Sequence, residues 1–128
     1  MLSGRCLCRA TAWCATAEPI WQSHCHCELC RRAVSSGVAP FVAVPREGFA
    51  WTGREPASYA SSVGVTRCFC ATCGSPLCYE SETRPDEVHL YAATLDDPER
   101  VAPTRHDFWD ERVPWLTFGD GLPRREGE

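Results

Sequence analysis

The sequence lacks any long run of apolar residues. No stretch approaches the roughly 18 continuous apolar residues that a membrane-spanning helix requires, and residues 1–6 lack the basic and apolar segments of a secretory signal. The sequence also contains no internal repeat, no low-complexity tract and no clear linker. We therefore expect a cytoplasmic protein without membrane partners, whose 128 residues form one domain spanning residues 1–128.

Positive charge is also scarce. Lysine and arginine together number 13 against 17 aspartates and glutamates, which leaves a formal net charge of -4. A protein that binds nucleic acid has to neutralise phosphates with basic side chains. The charge balance therefore argues against a nucleic-acid partner.

Long helices have little room in this chain. Ten prolines and nine glycines are scattered through it and separate short runs of alternating or β-branched residues. This pattern predicts a mainly β fold, with a short helical turn at residues 27–33 and a type I turn at residues 97–100. The polar residues from about 123 onward predict a frayed tail. Candidate strands cover residues 10–17, 38–44, 49–52, 57–61, 63–69, 77–80 and 88–94.

Cysteine, in contrast, is abundant, with ten residues. In a reducing compartment this richness points to metal or redox chemistry more than to a disulfide framework. Two closely spaced pairs can supply four thiolates to one zinc ion: Cys6, Cys8, Cys70 and Cys73. With Gly74 behind the second pair, this set predicts a structural zinc site, and buried free thiols are the alternative. Cys14 and Cys78 stand alone in apolar runs, which predicts small core side chains.

Three further cysteines, Cys25, Cys27 and Cys30, lie on one short segment. Zinc with three protein ligands keeps a position for water or substrate, as catalytic sites do. We expect an exchangeable and labile second zinc here; the alternatives are a second closed structural site or metal-free redox thiols. Cys68, two residues before Cys70, is a candidate fourth ligand that would close either site.

Two histidines and two arginines flank this second cluster. In an extended segment His24 and His26 face away from the neighbouring thiols, so they are second choice as ligands. Arg31 and Arg32 either balance the charge of a three-thiolate zinc site or contact a substrate carboxylate. The alternative for both arginines is a solvated surface position.

These motifs resemble those of the glutathione-dependent formaldehyde-activating enzyme family, which also includes the centromere protein V relatives. The resemblance extends from Gly4 to about Leu122. Its landmarks are GRCLC at residues 4–8, CHCELCRR at 25–32, FCATCGSPL at 69–77, and shorter matches at 94–98, 103–106 and 114–116. The resemblance implies small antiparallel sheets in a tent-shaped arrangement around zinc.

The resemblance also implies roles for the two cysteine groups. In the family the outer two pairs hold a structural zinc and the middle three cysteines hold the zinc associated with activity, so two zinc ions are expected. The founding members add glutathione to formaldehyde to give S-hydroxymethylglutathione, formally a carbon–sulfur lyase reaction. The chain is thus expected to act on a small thiol and a small aldehyde. The alternative is a non-catalytic zinc module that mediates protein interaction.

Overall fold

The computed structural model describes residues 1–128 and consists of ten strands with one short α-helix. In chain order the elements are β1 Leu2–Arg5, β2 Thr11–Ala15, β3 Trp21–Cys25, α1 Glu28–Val34, β4 Ala39–Pro45, β5 Phe49–Gly53, β6 Ala57–Ser62, β7 Val65–Phe69, β8 Pro76–Ser81, β9 Glu87–Tyr91 and β10 His106–Asp107. Single 3₁₀ turns follow β9 at Ala92–Thr94 and β10 at Trp109–Glu111. The mainly β prediction is confirmed.

The strands form two sheets. One has three strands in the order β1-β2-β5, and the other has seven in the order β10-β3-β4-β9-β8-β7-β6. All pairings are antiparallel except that of β10 with β3, which is parallel. The sequence patterns missed β1, β3 and β10, because these strands are short or carry polar residues on both faces, as in Trp-Gln-Ser-His-Cys of β3.

The main core lies between the two sheets. Alternate residues of β4 and β9 face it, and they are fully or almost fully buried: Val42, Val44, Val88 and Leu90. Trp13 of the small sheet packs into the same cluster and is 1% exposed. Each such side chain contributes about 1.5–3 kcal/mol when it is fully buried. Gly4 allows Trp13 to approach closely, since a Cβ at this position would lie 2.5 Å from the indole.

The opposite face of the seven-stranded sheet carries polar and aromatic side chains. Because side chains alternate along a strand, the same strands that supply the core also present a second set on this face: Ser23, Cys25, Phe41, Arg67, Tyr79, His89 and Tyr91. Most of these residues are buried. The sheet is therefore covered on both faces, and only one of them is the apolar core.

Helix α1 covers one end of this polar face. Cys27 caps its N-terminus, with Sγ accepting a hydrogen bond from the Cys30 N–H at 3.3 Å. The helix ends at Ser35, whose φ of 52° is left-handed and stops further helical hydrogen bonding. The helical turn expected at residues 27–33 is thus present. No helix of the structure has the length and apolar character to cross a membrane.

The tail from residue 123, where the sequence predicts fraying, makes backbone hydrogen bonds beside β10. Its backbone lies beside β10, where the His106 N–H donates to the Pro123 carbonyl and the Arg125 N–H donates to the His106 carbonyl, both at 2.8 Å. Two further N–H groups after β10 also donate to the tail. Polar composition did not reveal this pairing, because backbone hydrogen bonds do not depend on side-chain polarity.

Candidate metal centres

Four cysteine thiols converge where the loop after β1 meets the loop after β7: Cys6, Cys8, Cys70 and Cys73. Their sulfurs lie within 4.8 Å of one another, and Cys8 Sγ is 3.7 Å from both Cys6 Sγ and Cys70 Sγ. Four sulfurs at about 2.3 Å from one zinc ion form a tetrahedron with edges of about 3.8 Å. This group can therefore hold a metal ion, and its donors and spacing are consistent with zinc.

Backbone N–H groups surround the second pair of this group. The N–H groups of Thr72 and Cys73 donate to Cys70 Sγ at 3.3 and 3.4 Å. Gly74, with φ of 80°, donates to the Cys70 carbonyl at 2.8 Å and closes a turn that residues with a Cβ rarely adopt. Hydrogen bonds from Ser75 lower the pKa of Cys73 to about 5. The turn thus favours thiolates, which are the form that binds metal.

A second group contains three thiols. Cys25 is the last residue of β3, Cys27 caps α1, and Cys30 lies in the first turn of that helix. Their sulfurs lie within 4.8 Å of one another, and no fourth cysteine, histidine or carboxylate belongs to the group. The structure therefore brings together the three residues that the sequence proposed for a second metal centre.

Hydrogen bonding within this group favours one thiolate. Hydrogen bonds from the Cys25 and Cys30 thiols, with a smaller one from the Cys30 N–H, lower the pKa of Cys27 to about 3. The hydrogen bond to Cys27 raises the pKa of Cys25. Three closely packed sulfurs that share protons in this way would release those protons to solvent when a cation binds.

Arg67 supplies positive charge directly beside the second group. It is 5% exposed, and its Nη1 and Nη2 atoms lie 3.8 and 3.7 Å from Cys30 Sγ. Nη1 also donates to Tyr91 Oη at 3.1 Å, and Nε donates to Ser61 Oγ at 3.1 Å. A buried guanidinium requires such partners, and here part of its compensation is the sulfur of Cys30.

The three thiols form part of the wall of a cavity of about 270 Å³. The cavity follows the polar face of the seven-stranded sheet, and its walls include Arg67, aromatic side chains, His89 and several carboxylates. The aromatic walls are provided by Trp21, Phe41, Tyr79 and Phe108. A cavity of this size, apolar in part and with a few polar groups on its walls, is typical of small-molecule sites.

His89 lies in this cavity wall and is 5% exposed. Its ring stacks on Tyr79, with centroids 5.5 Å apart and an interplanar angle of 10°. Its Nε2 atom is 2.8 Å from Oε1 of Glu87 on the same strand. Burial lowers the pKa of His89, so the imidazole is neutral at neutral pH.

The arginines expected near the second group do not reach it. Arg31 Nε donates to the His26 carbonyl at 3.0 Å, and Arg32 Nε pairs with Glu28 at 2.8 Å on the exposed surface of α1. Neither side chain lies in the cavity wall. Arg32 thus has the surface position given above as the alternative, whereas Arg67 places its guanidinium beside Cys30 Sγ.

Cys68 is bonded to Cys78. Strands β7 and β8 place the two residues directly opposite each other, with Cα atoms 5.1 Å apart on the core side of the sheet. This disulfide corrects the candidate role of Cys68 as a fourth ligand, because a disulfide sulfur has no thiolate to offer. Cys78 is a buried core side chain, as expected, and is the partner in this disulfide.

The histidines beside the second group form a separate buried chain. His26 Nε2 is 2.8 Å from His106 Nδ1, and His106 Nε2 is 2.9 Å from Asp120 Oδ2. His24 stacks on His106 with ring centroids 4.9 Å apart. Neither His24 nor His26 belongs to the thiol group, so both remain second choice as ligands.

Arg67 and His89 were missed as site residues, although the sequence contained a signal for both. Each is a polar residue within a run that was correctly predicted as a strand, and each alternates with buried residues. A charged or polar side chain in a strand covered on both faces requires a partner. That requirement marks such positions as candidates for a site.

Comparison with known proteins agrees with this geometry. A family model described as "Glutathione-dependent formaldehyde-activating enzyme" matches residues 1–111. Among solved structures, a crystal structure of a Rhodobacter sphaeroides protein, a structural genomics target, is similar with a TM-score of 0.60. It is 17% identical, and the match covers 96% of this chain and 98% of that chain, which supports a shared fold. The search of curated proteins gives no match.

Proposed function

Because the chain belongs to the glutathione-dependent formaldehyde-activating enzyme family, we propose that it adds a small thiol such as glutathione to formaldehyde or a similar small aldehyde. The reaction is of the carbon–sulfur lyase type and runs in either direction. The observation that carries the proposal is the convergence of Cys25, Cys27 and Cys30 on one wall of a small cavity beside Arg67.

The three thiols would hold the metal ion of the reaction. Zinc suits this donor set, and a zinc ion bound there would act as a Lewis acid that favours the thiolate form of an incoming thiol. Cys6, Cys8, Cys70 and Cys73 would hold a second, structural zinc that connects the N-terminal strands to the β7–β8 turn. The proposal thus assigns two zinc ions, one for stability and one for chemistry.

The surrounding residues would make the cavity suitable for a thiolate. Three thiolates and one divalent cation carry a formal charge of -1, which would repel a fourth thiolate. The guanidinium of Arg67, 3.7 Å from Cys30 Sγ, offsets this charge. The aromatic walls would limit the water around the reacting groups, and the cavity of about 270 Å³ would leave room for a small aldehyde.

A spectroscopic titration tests this proposal directly. The full chain would be loaded with Co²⁺ in place of zinc and titrated with glutathione, and a new, saturable thiolate-to-metal charge-transfer band is expected on top of the absorption from the protein's own cysteines. Cys25→Ser should lose this band, and Cys14→Ser is the matched control because Cys14 is a free cysteine outside both groups. Exchange between formaldehyde and its glutathione adduct would then be followed by NMR.

Two results would contradict the proposal. One is a wild-type protein that binds no thiol and leaves the exchange rate at its uncatalysed value, which would favour a non-catalytic zinc module that mediates protein interaction. The other is a Cys25→Ser variant that keeps the charge-transfer band unchanged, which would move the thiol site away from this group.

A further inference from the structure

Addition of a thiol to an aldehyde requires a proton to move. The S–H bond breaks, the sulfur forms a bond to the carbonyl carbon, and the π electron pair of the C=O group moves to the oxygen, which takes up a proton. The reaction therefore needs a group that accepts the thiol proton and returns it to oxygen. This requirement rests on the proposed function. The group that meets it should be one of the titratable residues that line the cavity.

Most titratable groups in the cavity wall already have protein partners. The Asp107 carboxylate accepts hydrogen bonds from Arg105 and pairs with a second arginine. Glu111 accepts the first N–H of α1 at 2.9 Å, and Glu128 forms an ion pair with an arginine. Burial raises the pKa of Tyr79, the tyrosine of the cavity wall. These groups are poorly suited to proton exchange with a substrate.

His89 differs, because its hydrogen bonding leaves one ring nitrogen free. Glu87 Oε1 lies 2.8 Å from His89 Nε2 and 3.2 Å from Trp21 Nε1. Although burial opposes ionisation, the hydrogen bonds from His89 and Trp21 lower the pKa of Glu87. An ionised carboxylate has no proton to donate, so Nε2 of His89 donates to it and Nδ1 carries the lone pair.

The Nδ1 atom of His89 is accessible from the cavity. It makes no hydrogen bond within the protein. Three side-chain atoms, in Thr11, His24 and His26, are fully buried without a hydrogen-bond partner, and His89 Nδ1 is not among them. Part of the Nδ1 surface is therefore accessible. Because His89 lines the cavity and Nδ1 is its unpaired ring nitrogen, this lone pair is the one that a substrate in the cavity could reach. A carboxylate that holds one imidazole nitrogen and leaves the other as a base is a common arrangement for proton transfer.

We propose that His89, held in position by Glu87, is the catalytic residue that takes the proton of the incoming thiol at Nδ1 and returns it to the aldehyde oxygen. The cycle leaves no net change in protonation and requires no other reactant. Tyr79 stacks on the ring and keeps it facing the cavity. The negative charge of Glu87 stabilises the imidazolium that forms during the cycle.

The tautomer of His89 gives a test that does not depend on activity. Nitrogen-15 NMR of the wild-type full chain should assign a neutral ring with the proton on Nε2 at pH 7. In Glu87→Gln the side-chain amide can donate to Nε2, so the proton is expected to move to Nδ1 in a detectable fraction of molecules. A wild-type ring with its proton on Nδ1 would overturn the proposal.

Kinetics give the second test. In His89→Ala we expect kcat for formaldehyde–glutathione exchange to fall by about 100-fold or more, with thiol binding changed by less than about threefold. Added imidazole should restore part of the rate. His24→Ala is the matched control, because His24 lies on the opposite face of β3, and thermal unfolding would check that each variant is folded.

The pH profile provides a signature that a structural role would not produce. The base must be neutral, and His89 has a folded pKa below its ordinary value of 6.5. The wild-type rate should therefore fall as the pH drops through this lowered value, and His89→Ala should lack that limb. The charged groups nearby are Glu87, Arg84 and Glu128, together with Arg67 across the cavity.

The failure of this inference is distinguishable from failure of the proposed function. A wild-type protein that does not accelerate the exchange overturns both. A wild-type protein that does so, with a His89→Ala variant of equal kcat and an unchanged acidic limb, overturns the role of His89 alone. Loss of rate without imidazole rescue, together with loss of thiol binding, would also overturn it by making His89 a packing residue.

Discussion

Replacing Arg67 by glutamine removes a buried positive charge from the centre of the proposed thiol site. The guanidinium is 5% exposed and contacts Cys30 Sγ through two nitrogens at 3.8 and 3.7 Å. Glutamine keeps a polar group near Tyr91 but carries no charge. We expect the Arg67→Gln variant to fold and to retain the four-thiol centre, and to bind a fourth thiolate at the three-thiol centre much more weakly.

The geometry sets the magnitude of this effect. The guanidinium and a Cys30 thiolate, 3.7 Å apart, interact by about 4 kcal/mol at an effective dielectric constant of about 20, and a fourth thiolate on the same ion would lie farther from the guanidinium and interact less. Part of this energy is offset because burying the guanidinium costs solvation. Since about 1.4 kcal/mol corresponds to a factor of ten, even a third of the interaction weakens thiolate binding about tenfold. We therefore expect a Kd for glutathione that rises by about 10- to 100-fold.

The Co²⁺ charge-transfer titration measures this Kd. Arg67→Lys should give an intermediate value, because lysine keeps the charge but loses the two-pronged contact. Arg32→Gln is the matched control, since Arg32 is exposed and pairs only with Glu28. Equal Kd values for wild-type and Arg67→Gln would refute the argument that a buried charge balances the site. A larger effect from Arg32→Gln would return the role to the arginine that the sequence indicated.

Two further predictions concern the other cysteines. Cys6→Ser removes one of four ligands from the proposed structural centre. We therefore expect one bound metal ion to be lost and Tm to fall by at least about 10 °C. An unchanged Tm would contradict a stabilising role. The double variant Cys68→Ala with Cys78→Ala opens a disulfide between residues 10 positions apart, which should lower the free energy of unfolding by about 2–3 kcal/mol under oxidising conditions only. Its metal content should match that of the wild type, and a loss of metal would restore Cys68 as a ligand.

The sequence was sufficient to predict the strand-rich fold and the membership of both thiol groups. Cysteine spacing and alternating patterns are local features of the chain. The strands predicted from them are present in the structure, and their boundaries differ from the prediction by about one residue, as for β4 and β8. The charge partner of the second group could not be predicted in the same way. Arg67 is 37 residues from Cys30 in the chain, and only the pairing of β4, β9, β8 and β7 brings them together.

The role of His89 depends on the same kind of long-range register. His89 pairs with Tyr79 on one side and with Ala43 on the other. This register places the His89 ring on the face of the sheet that carries Cys25. A shift of one residue in β9 would turn His89 into the apolar core and Val88 into the cavity. Periodicity predicts that the two residues face opposite ways, but it does not say which face contains a site.

The two C-x-C-x-x-C motifs illustrate why identical spacing produced different centres. In the first motif Cys25 ends β3 on the cavity face, so it joins Cys27 and Cys30 at the start of α1. In the second motif the first cysteine, Cys68, lies within β7 and faces the core. The register of the β7–β8 pairing shifts directly after Cys68, before the turn. That cysteine pairs across the sheet with β8 and leaves only two thiols for the turn.

The remaining pair must then recruit ligands from elsewhere in the chain, and the β1–β2 turn supplies Cys6 and Cys8. With a metal ion bound, a centre with four ligands from two distant turns would hold the fold together and have no position for a substrate. A centre with three ligands from one segment constrains little of the chain and lies beside a cavity. The two centres therefore differ because the first cysteine of each motif faces a different side of the sheet. Cys25 faces the cavity and joins the centre that we propose to be reactive, whereas Cys68 faces the core and leaves the centre that we propose to be structural.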